Sequence, residues 1–266
     1  MNTILQTALD LTELSRAMQI AREAVLGGTD WIEAGTPLIK SEGMNAVREL
    51  AKEFPNHKII ADLKTSDTGG LEVEMAAKAG ADVVCILASA DDAVILDALR
   101  GAALYGVELM ADMMNVADVA GRAKQLADMG VHIINAHVGI DQQMEGKNPL
   151  DILSEISGLG VKVAAAGGLN AQTAAAAAAA GADIVIVGAG IVKAADVEAA
   201  ARAVREAIDS PSAAKPKTKT MDDEIREILR EVSAPHVTDA LYRKGAMWGI
   251  SARHVPKKMV GKAVTV

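Results

Sequence analysis

Short apolar runs, often rich in β-branched residues, punctuate the first 209 positions at a regular spacing. They are Ile4–Leu9, Trp31–Ala34, Ile59–Leu63, Val83–Leu87, Val107–Met110, Ile133–Ala136, Val161–Ala165 and Ile184–Val187. Between them lie longer stretches of helical period, such as Glu13–Leu26, Gly43–Glu53, Glu72–Ala79, Ala117–Met129 and Ala171–Ala180. Many of these end at a glycine just before the next strand (Gly27, Gly28, Gly80, Gly106, Gly130, Gly160, Gly181), where the chain turns left-handed to leave a helix. Strand–helix alternation predicts a parallel sheet. Eight such units predict a (β/α)8 barrel near the small end of that fold's range. A doubly wound open sheet is the rival, and the strand count favours the barrel. The alanine run 174–180 reads as a thin helix lying close to the sheet.

In a barrel, chemistry gathers at the C-terminal strand ends. Strand one ends at Asp10, strand two at Glu33, strand three in Asp62-Leu-Lys64-Thr-Ser-Asp67, strand five near Asp112 and strand six at His137. Strands seven and eight run instead into Gly167-Gly168 and Gly188-Ala189-Gly190. Glycine-rich loops after these last two strands suit a phosphate, because backbone N–H groups can approach it closely. Tight turns are the plainer explanation for them.

Asp62 and Lys64, two apart on a strand, point the same way. Inward-facing charges are costly unless paired or bound to a ligand. Glu33 on the neighbouring strand adds a second carboxylate. Two carboxylates and water suit Mg²⁺, with Lys64 as a fixed positive charge beside it that could stabilise an enediolate. The competing explanations are a salt-bridge network closing the barrel mouth, or a Schiff-base lysine. The neighbouring carboxylates disfavour the latter, since they hold the ammonium charged. His137, at a strand end, suits proton transfer near neutrality; a structural histidine is the alternative.

Composition narrows the classes. The 266 residues are 50% hydrophobic and 23% charged, an ordinary globular balance. Five aromatics (Trp31, Phe54, Tyr105, Tyr242, Trp248) offer no stacking platform for single-stranded nucleic acid, and the net charge of −8 argues against nucleic-acid binding in general. Cys85 is the single cysteine and lies in an apolar run, which excludes an internal disulfide framework and predicts a buried small hydrophobe. No apolar stretch approaches the roughly 20 residues that cross a bilayer. Met1-Asn2-Thr3 lacks the basic start of a secretory signal, so the expected location is the cytoplasm.

The charge changes sign along the chain. Residues 210–266 hold 11 Lys/Arg against 6 Asp/Glu, whereas the first 209 hold 16 against 29. Residues 210–220, small, lysine-rich and proline-containing, predict a linker. Ile225, Ile228, Leu229 and Val232 recur at helical spacing after it, so 221–266 begins a further structured unit.

Ala61–Gly70 followed by Glu74–Asp82 resembles the orotidine monophosphate decarboxylase superfamily. Gln6–Asp10, Glu33–Pro37, His137–Asn148 and Gly188–Ile191 narrow the resemblance to its 3-hexulose-6-phosphate synthase family, over residues 1 to 209. The sister 3-keto-L-gulonate-6-phosphate decarboxylases carry an arginine in the last loop and another shortly after the histidine. Here Gly139-Ile140 follows the histidine and glycine and isoleucine stand in the loop, which favours the synthase. The resemblance implies an Mg²⁺-dependent (or Mn²⁺-dependent) aldol reaction of ribulose 5-phosphate with formaldehyde, in a homodimer with shared active sites. It implies Glu33 and Asp62 as metal ligands and Lys64 on the enediolate. Asp67 would act across the dimer interface, His137 in proton transfer, and Asp112 in orienting substrate or sharing the base role. Asp10 would meet the polyol, and Gly167, Gly168, Gly188, Ala189 and Gly190 the phosphate. Residues Val232–Leu241, Lys244–Met247 and Val260–Val266 resemble the opening of an RraA-like domain without its metal-site residues. Two alternatives stand beside the synthase: β-keto acid decarboxylation on the same apparatus, and a non-catalytic regulatory protein acting through that tail.

Overall fold

Each anticipated apolar run forms a strand, and all eight are parallel: β1 (Ile4–Leu9), β2 (Trp31–Ala34), β3 (Lys58–Thr65), β4 (Val83–Leu87), β5 (Glu108–Asp112), β6 (Ile133–His137), β7 (Lys162–Ala166) and β8 (Ile184–Val187). The computed structural model describes residues 3–139, 148–156 and 158–210. β1 pairs with both β2 and β8, which closes the cylinder and excludes the open sheet. The tail expected at 221–266, the linker but for Ser210, and Ile140–Lys147 of the histidine motif lie outside the described residues.

The helices are α1 (Leu14–Leu26), α2 (Thr36–Glu42), α3 (Asn45–Glu53), α4 (Gly69–Ala79), α5 (Asp92–Tyr105), α6 (Val119–Met129), α7 (Pro149–Ile156), α8 (Ala171–Ala179), α9 (Ala189–Val192) and α10 (Val197–Asp209). Side chains cap several of them. Asp91 accepts a hydrogen bond from the Ala93 N–H at the start of α5, and Asn170 with Thr173 forms a capping box on α8. That box starts the alanine-rich helix, whose Ala174, Ala175 and Ala177 are buried.

Strand alternation sorts the core into two layers. Leu5, Leu9, Ile59, Val84, Ile86 and Leu109 face outward and pack under the helices. Trp31, Ile60, Val83, Cys85, Met110 and Ile133 fill the interior, where the Cys85 Sγ lies 3.6 Å from the Met110 Sδ. Cys85 is thus the buried hydrophobe expected.

The first residues of alternate strands form one layer at the N-terminal end of the cylinder. Glu108 of β5 bonds Lys58 of β3 and, at 2.8 Å, Lys162 of β7; the Lys58 ammonium also lies 5.1 Å from the Trp31 ring centroid. A salt-bridged floor therefore closes the end opposite the strand C-termini. No helix among the described residues is long and apolar enough to cross a membrane.

Leu109 is fully buried between sheet and helices. Leu109→Ala is expected to cost about 2–5 kcal/mol in a chemical-denaturation curve, through lost transfer energy and the cavity left behind.

Candidate active site

β3 is longer than its apolar run because it breaks step near its end. Asp62 pairs with Cys85 of β4, but the next pair is Thr65 with Ile86, so the backbone bulges through Leu63 and Lys64. Lys64 takes a left-handed conformation, φ 49°, which a non-glycine residue adopts only under constraint. Asp62 and Lys64 still meet on one side, as expected, but the bulge brings them there and not regular strand alternation. Strain of this kind clusters at functional sites.

The bulge delivers the Lys64 ammonium between two carboxylates: 2.8 Å from the Asp112 Oδ2 of β5 and 3.2 Å from the Asp62 Oδ2. His137, the last residue of β6, places Nδ1 2.7 Å from the same Asp112 oxygen. The other Asp112 oxygen accepts the Met114 N–H at 2.9 Å. Burial alone would raise the Asp112 carboxyl, but His137 and Lys64 together hold it at about 2. Burial likewise works against the Lys64 charge, and Asp62 and Asp112 more than offset it, leaving the ammonium more strongly protonated than an ordinary lysine. A permanently charged Lys64 is an electrostatic stabiliser and a poor Schiff-base nucleophile.

Two further carboxylates meet the cluster. Glu33, on β2, is buried and accepts a hydrogen bond from the Gln6 Nε2 at 2.6 Å. Its carboxyl is pushed well above the usual range, by burial first and then by Asp62 and Asp10. Asp10, just past β1, is raised by desolvation and by Asp62. Its carboxylate is walled by backbone: a Cβ on Gly35 would lie 2.3 Å from the Asp10 Oδ1, so only glycine fits there. Asp62 accepts a hydrogen bond from the Thr36 hydroxyl at 2.7 Å on Oδ2, while its Oδ1 is buried without a partner.

The glycine loops adjoin each other at the same rim. Gly167 (φ 111°) follows β7, and a Cβ there would come within 2.3 Å of the Val138 carbonyl. A Cβ on Gly190 would stand 2.7 Å from the Leu169 carbonyl, so the loop after β8 lies against the loop after β7. Gly168, Ala189 and Gly190 are exposed and Gly188 is half-buried, leaving the loop surface open to a ligand.

The structure thus brings Asp10, Glu33, Asp62, Lys64, Asp112 and His137 into one electrostatic cluster. Asp67 stands apart from these contacts; it is exposed on the loop after β3 and accepts the Thr68 N–H at 2.8 Å. Sequence reasoning missed Gln6 and Thr36, both buried hydrogen-bond donors to the carboxylates. It also missed Asn135, buried on β6 with an unpartnered Oδ1, and Lys193, whose charge reaches Asp10 from the end of α9. Alternating polarity inside the strands marks Gln6 and Asn135 as inward-facing, which is the signal that could have found them.

The depressed Asp112 carboxyl has a consequence for acid stability. Its folded value of about 2 lies below its unfolded value, so it contributes stability above about pH 4 that is lost as pH falls towards 2. The contribution is on the order of 2 kcal/mol. Asp112→Asn is expected to flatten that segment of the stability–pH curve, measured by denaturant titration at several pH values.

Residues 3–204 match the model of the orotidine 5′-phosphate decarboxylase / HUMPS family. The 3-hexulose-6-phosphate synthase of Bacillus subtilis (strain 168) is 39% identical over 206 residues, 77% of this chain and 98% of that protein. The crystal structure of 3-hexulose-6-phosphate synthase from Salmonella typhimurium superposes with a TM-score of 0.74 at 34% identity, covering 78% of this chain and 98% of that one. A 3-keto-L-gulonate-6-phosphate decarboxylase structure from Vibrio cholerae gives a TM-score of 0.70 at 29% identity, covering 81% of this chain and all of that one. The chain therefore belongs to the orotidine 5′-phosphate decarboxylase / HUMPS family, among the 3-hexulose-6-phosphate synthases.

Proposed function

We propose that the protein catalyses the aldol condensation of formaldehyde with D-ribulose 5-phosphate to 3-hexulose 6-phosphate, and the reverse cleavage. The observation that carries this is the Lys64 ammonium held between Asp62 and Asp112, with His137 on the same Asp112 oxygen. A fixed cation beside a proton-transfer residue suits a reaction that removes a proton next to a carbonyl. The Bacillus subtilis and Salmonella typhimurium relatives, both 3-hexulose-6-phosphate synthases by name, support the same chemistry.

In this scheme His137 moves the proton. Its Nδ1 faces Asp112, which leaves Nε2 to work on substrate. Loss of a C1 proton from ribulose 5-phosphate leaves an enediolate, whose C1 bonds to the formaldehyde carbon while the aldehyde oxygen takes up a proton. Lys64 holds its positive charge where the enediolate charge develops. Asp112, depressed to about 2, is a weak base; it orients His137 and Lys64. Asp10 takes sugar hydroxyls. The backbone at Gly167, Gly168, Gly188, Ala189 and Gly190 takes the phosphate, with Lys193 adding charge nearby.

The donor set fits Mg²⁺, with Mn²⁺ as its substitute. The Asp62 Oδ1 is buried without a partner, and the Glu33 carboxyl is pushed up by burial and then by neighbouring negative charge. Among the described residues no three acidic, histidine or cysteine side chains form a ready-made metal cage. Two carboxylates with water and substrate oxygens match a cation that keeps much of its hydration. Glu33 and Asp62 would hold the ion, which would supply Lewis-acid polarisation of the sugar oxygens.

The proposal extends to a cytoplasmic homodimer. Leu71 and Met75 on α4 and Leu96 and Leu104 on α5 are exposed, with Leu104 at 76%. α4 packs against α5, so these residues offer an apolar face beside the loop that carries Asp67. A partner docked there would let Asp67 serve the partner's active site.

With Mg²⁺, ribulose 5-phosphate and formaldehyde, the protein is expected to consume formaldehyde one-for-one with the sugar. Lys64→Ala should lower the rate by about 10²–10³-fold, the scale of losing one electrostatic stabiliser. Release of CO2 from a 3-keto-gulonate phosphate without formaldehyde consumption would favour the decarboxylase instead. An Asp62→Ala protein that keeps its biological role would favour the regulatory alternative. The raised Glu33 carboxyl contributes stability that is fully present below its unfolded value and is lost as pH rises through its folded value. Glu33→Gln is accordingly expected to raise the melting temperature at pH 7 without metal, and saturating Mg²⁺ to narrow the gap by stabilising the parent protein alone.

A further inference from the structure

Gln6 and Thr36 belong to neither end of a proton-transfer path, yet each spends a hydrogen bond on one oxygen of a buried carboxylate. Gln6 is fully buried on β1 and its Nε2 donates to the Glu33 Oε2 at 2.6 Å. The β1–β2 register, with Ala8 opposite Glu33, sets Gln6 one inward position below it. Thr36 opens α2, is 9% exposed, and donates its hydroxyl to the Asp62 Oδ2 at 2.7 Å. Lys64 approaches that same Asp62 oxygen, so the other, Oδ1, stays buried and unpartnered. A buried acceptor without a donor is costly unless a ligand completes it.

Both donors are neutral. They fix the orientation of a carboxylate without cancelling its charge, which is how groups behind the ligands of a metal tune its binding. A second lysine or arginine in either place would neutralise the carboxylate and compete with a cation. We propose that Gln6 and Thr36 are positioning residues that clamp Glu33 and Asp62 by one oxygen each and present the remaining oxygens to a single divalent cation. The inference rests on the metal assignment made under the proposed function. A merely structural role predicts something different: loss of the clamps would lower stability and leave the affinity of the folded protein for metal unchanged.

Binding of Mn²⁺ to the full chain, read from the electron paramagnetic resonance signal of free Mn²⁺, separates the two. Thr36→Val keeps the shape and loses the hydroxyl, Thr36→Ser keeps the hydroxyl, and Gln6→Met keeps the length and loses the donor. Thr36→Val and Gln6→Met are expected to weaken Mn²⁺ binding by about 10–100-fold. Thr36→Ser is expected to restore most of the affinity. In turnover assays the Mn²⁺ concentration for half-maximal rate should rise far more than kcat at saturating Mn²⁺ falls. If folded Thr36→Val and Gln6→Met bind Mn²⁺ as tightly as the parent, the positioning role is overturned while the metal assignment stands. If the parent itself binds no Mn²⁺, the metal assignment fails and takes this inference with it.

Discussion

A lysine ammonium held inside a barrel mouth that carries more negative than positive charge is the constraint on which the rest depends. Lys64 faces Asp62 and Asp112 directly, with Glu33 and Asp10 close enough to shift one another. One cation cannot satisfy four carboxylates. The burden is divided unevenly: Asp112 is held deep in its ionised form, whereas Glu33 and Asp10 are pushed towards protonation. Carboxyls perturbed in opposite directions within one cluster are common at functional sites.

The same strands also build the opposite end, and the two ends contrast. β3 contributes Lys58 to the floor and Asp62 and Lys64 to the rim; β5 contributes Glu108 and Asp112. On the floor two lysines share one glutamate and Lys58 also covers the Trp31 ring, so that these polar groups are paired by protein alone. On the rim the Asp62 Oδ1 finds no protein partner, and the backbone carrying Lys64 is held left-handed. Ion pairs thus stand at both ends, between Lys58, Glu108 and Lys162 at the floor and between Lys64, Asp62 and Asp112 at the rim. Between the two layers Cys85, Met110 and Ile133 form a packed apolar interior beneath the rim groups.

Much of the architecture was legible because period alone encodes it. The runs around Ile60, Val84, Ile134 and Val185 alternate with helical stretches, and that alternation specifies the parallel barrel and hence where its strand ends gather. Asp10, Glu33, Asp62, Asp112 and His137 could be picked out as ionisable groups at those ends. What stayed hidden depends on register and local backbone shape. Gln6 reads as one more strand residue until the β1–β2 pairing sets it beneath Glu33. Thr36 reads as loop until Thr36–Glu42 is seen as a separate helix, interposed before Asn45–Glu53. The bulge at Lys64 extends β3 to Thr65, beyond the apolar run, and no hydrophobic pattern records it. The Lys58–Glu108–Lys162 floor joins residues of three strands that are not neighbours in the chain, so it too appears only on closure.

An enediolate formed in this mouth beneath a permanently charged lysine, as proposed, would let C1 of ribulose 5-phosphate exchange its proton with solvent. Incubating the protein with ribulose 5-phosphate and Mg²⁺ in D2O, without formaldehyde, tests it most directly by nuclear magnetic resonance of C1. Solvent deuterium is expected to enter C1 with the parent protein, and borohydride to trap no lysine adduct. Absence of exchange under conditions where formaldehyde is fixed, or a borohydride-stable bond between Lys64 and the sugar, would contradict the proposal.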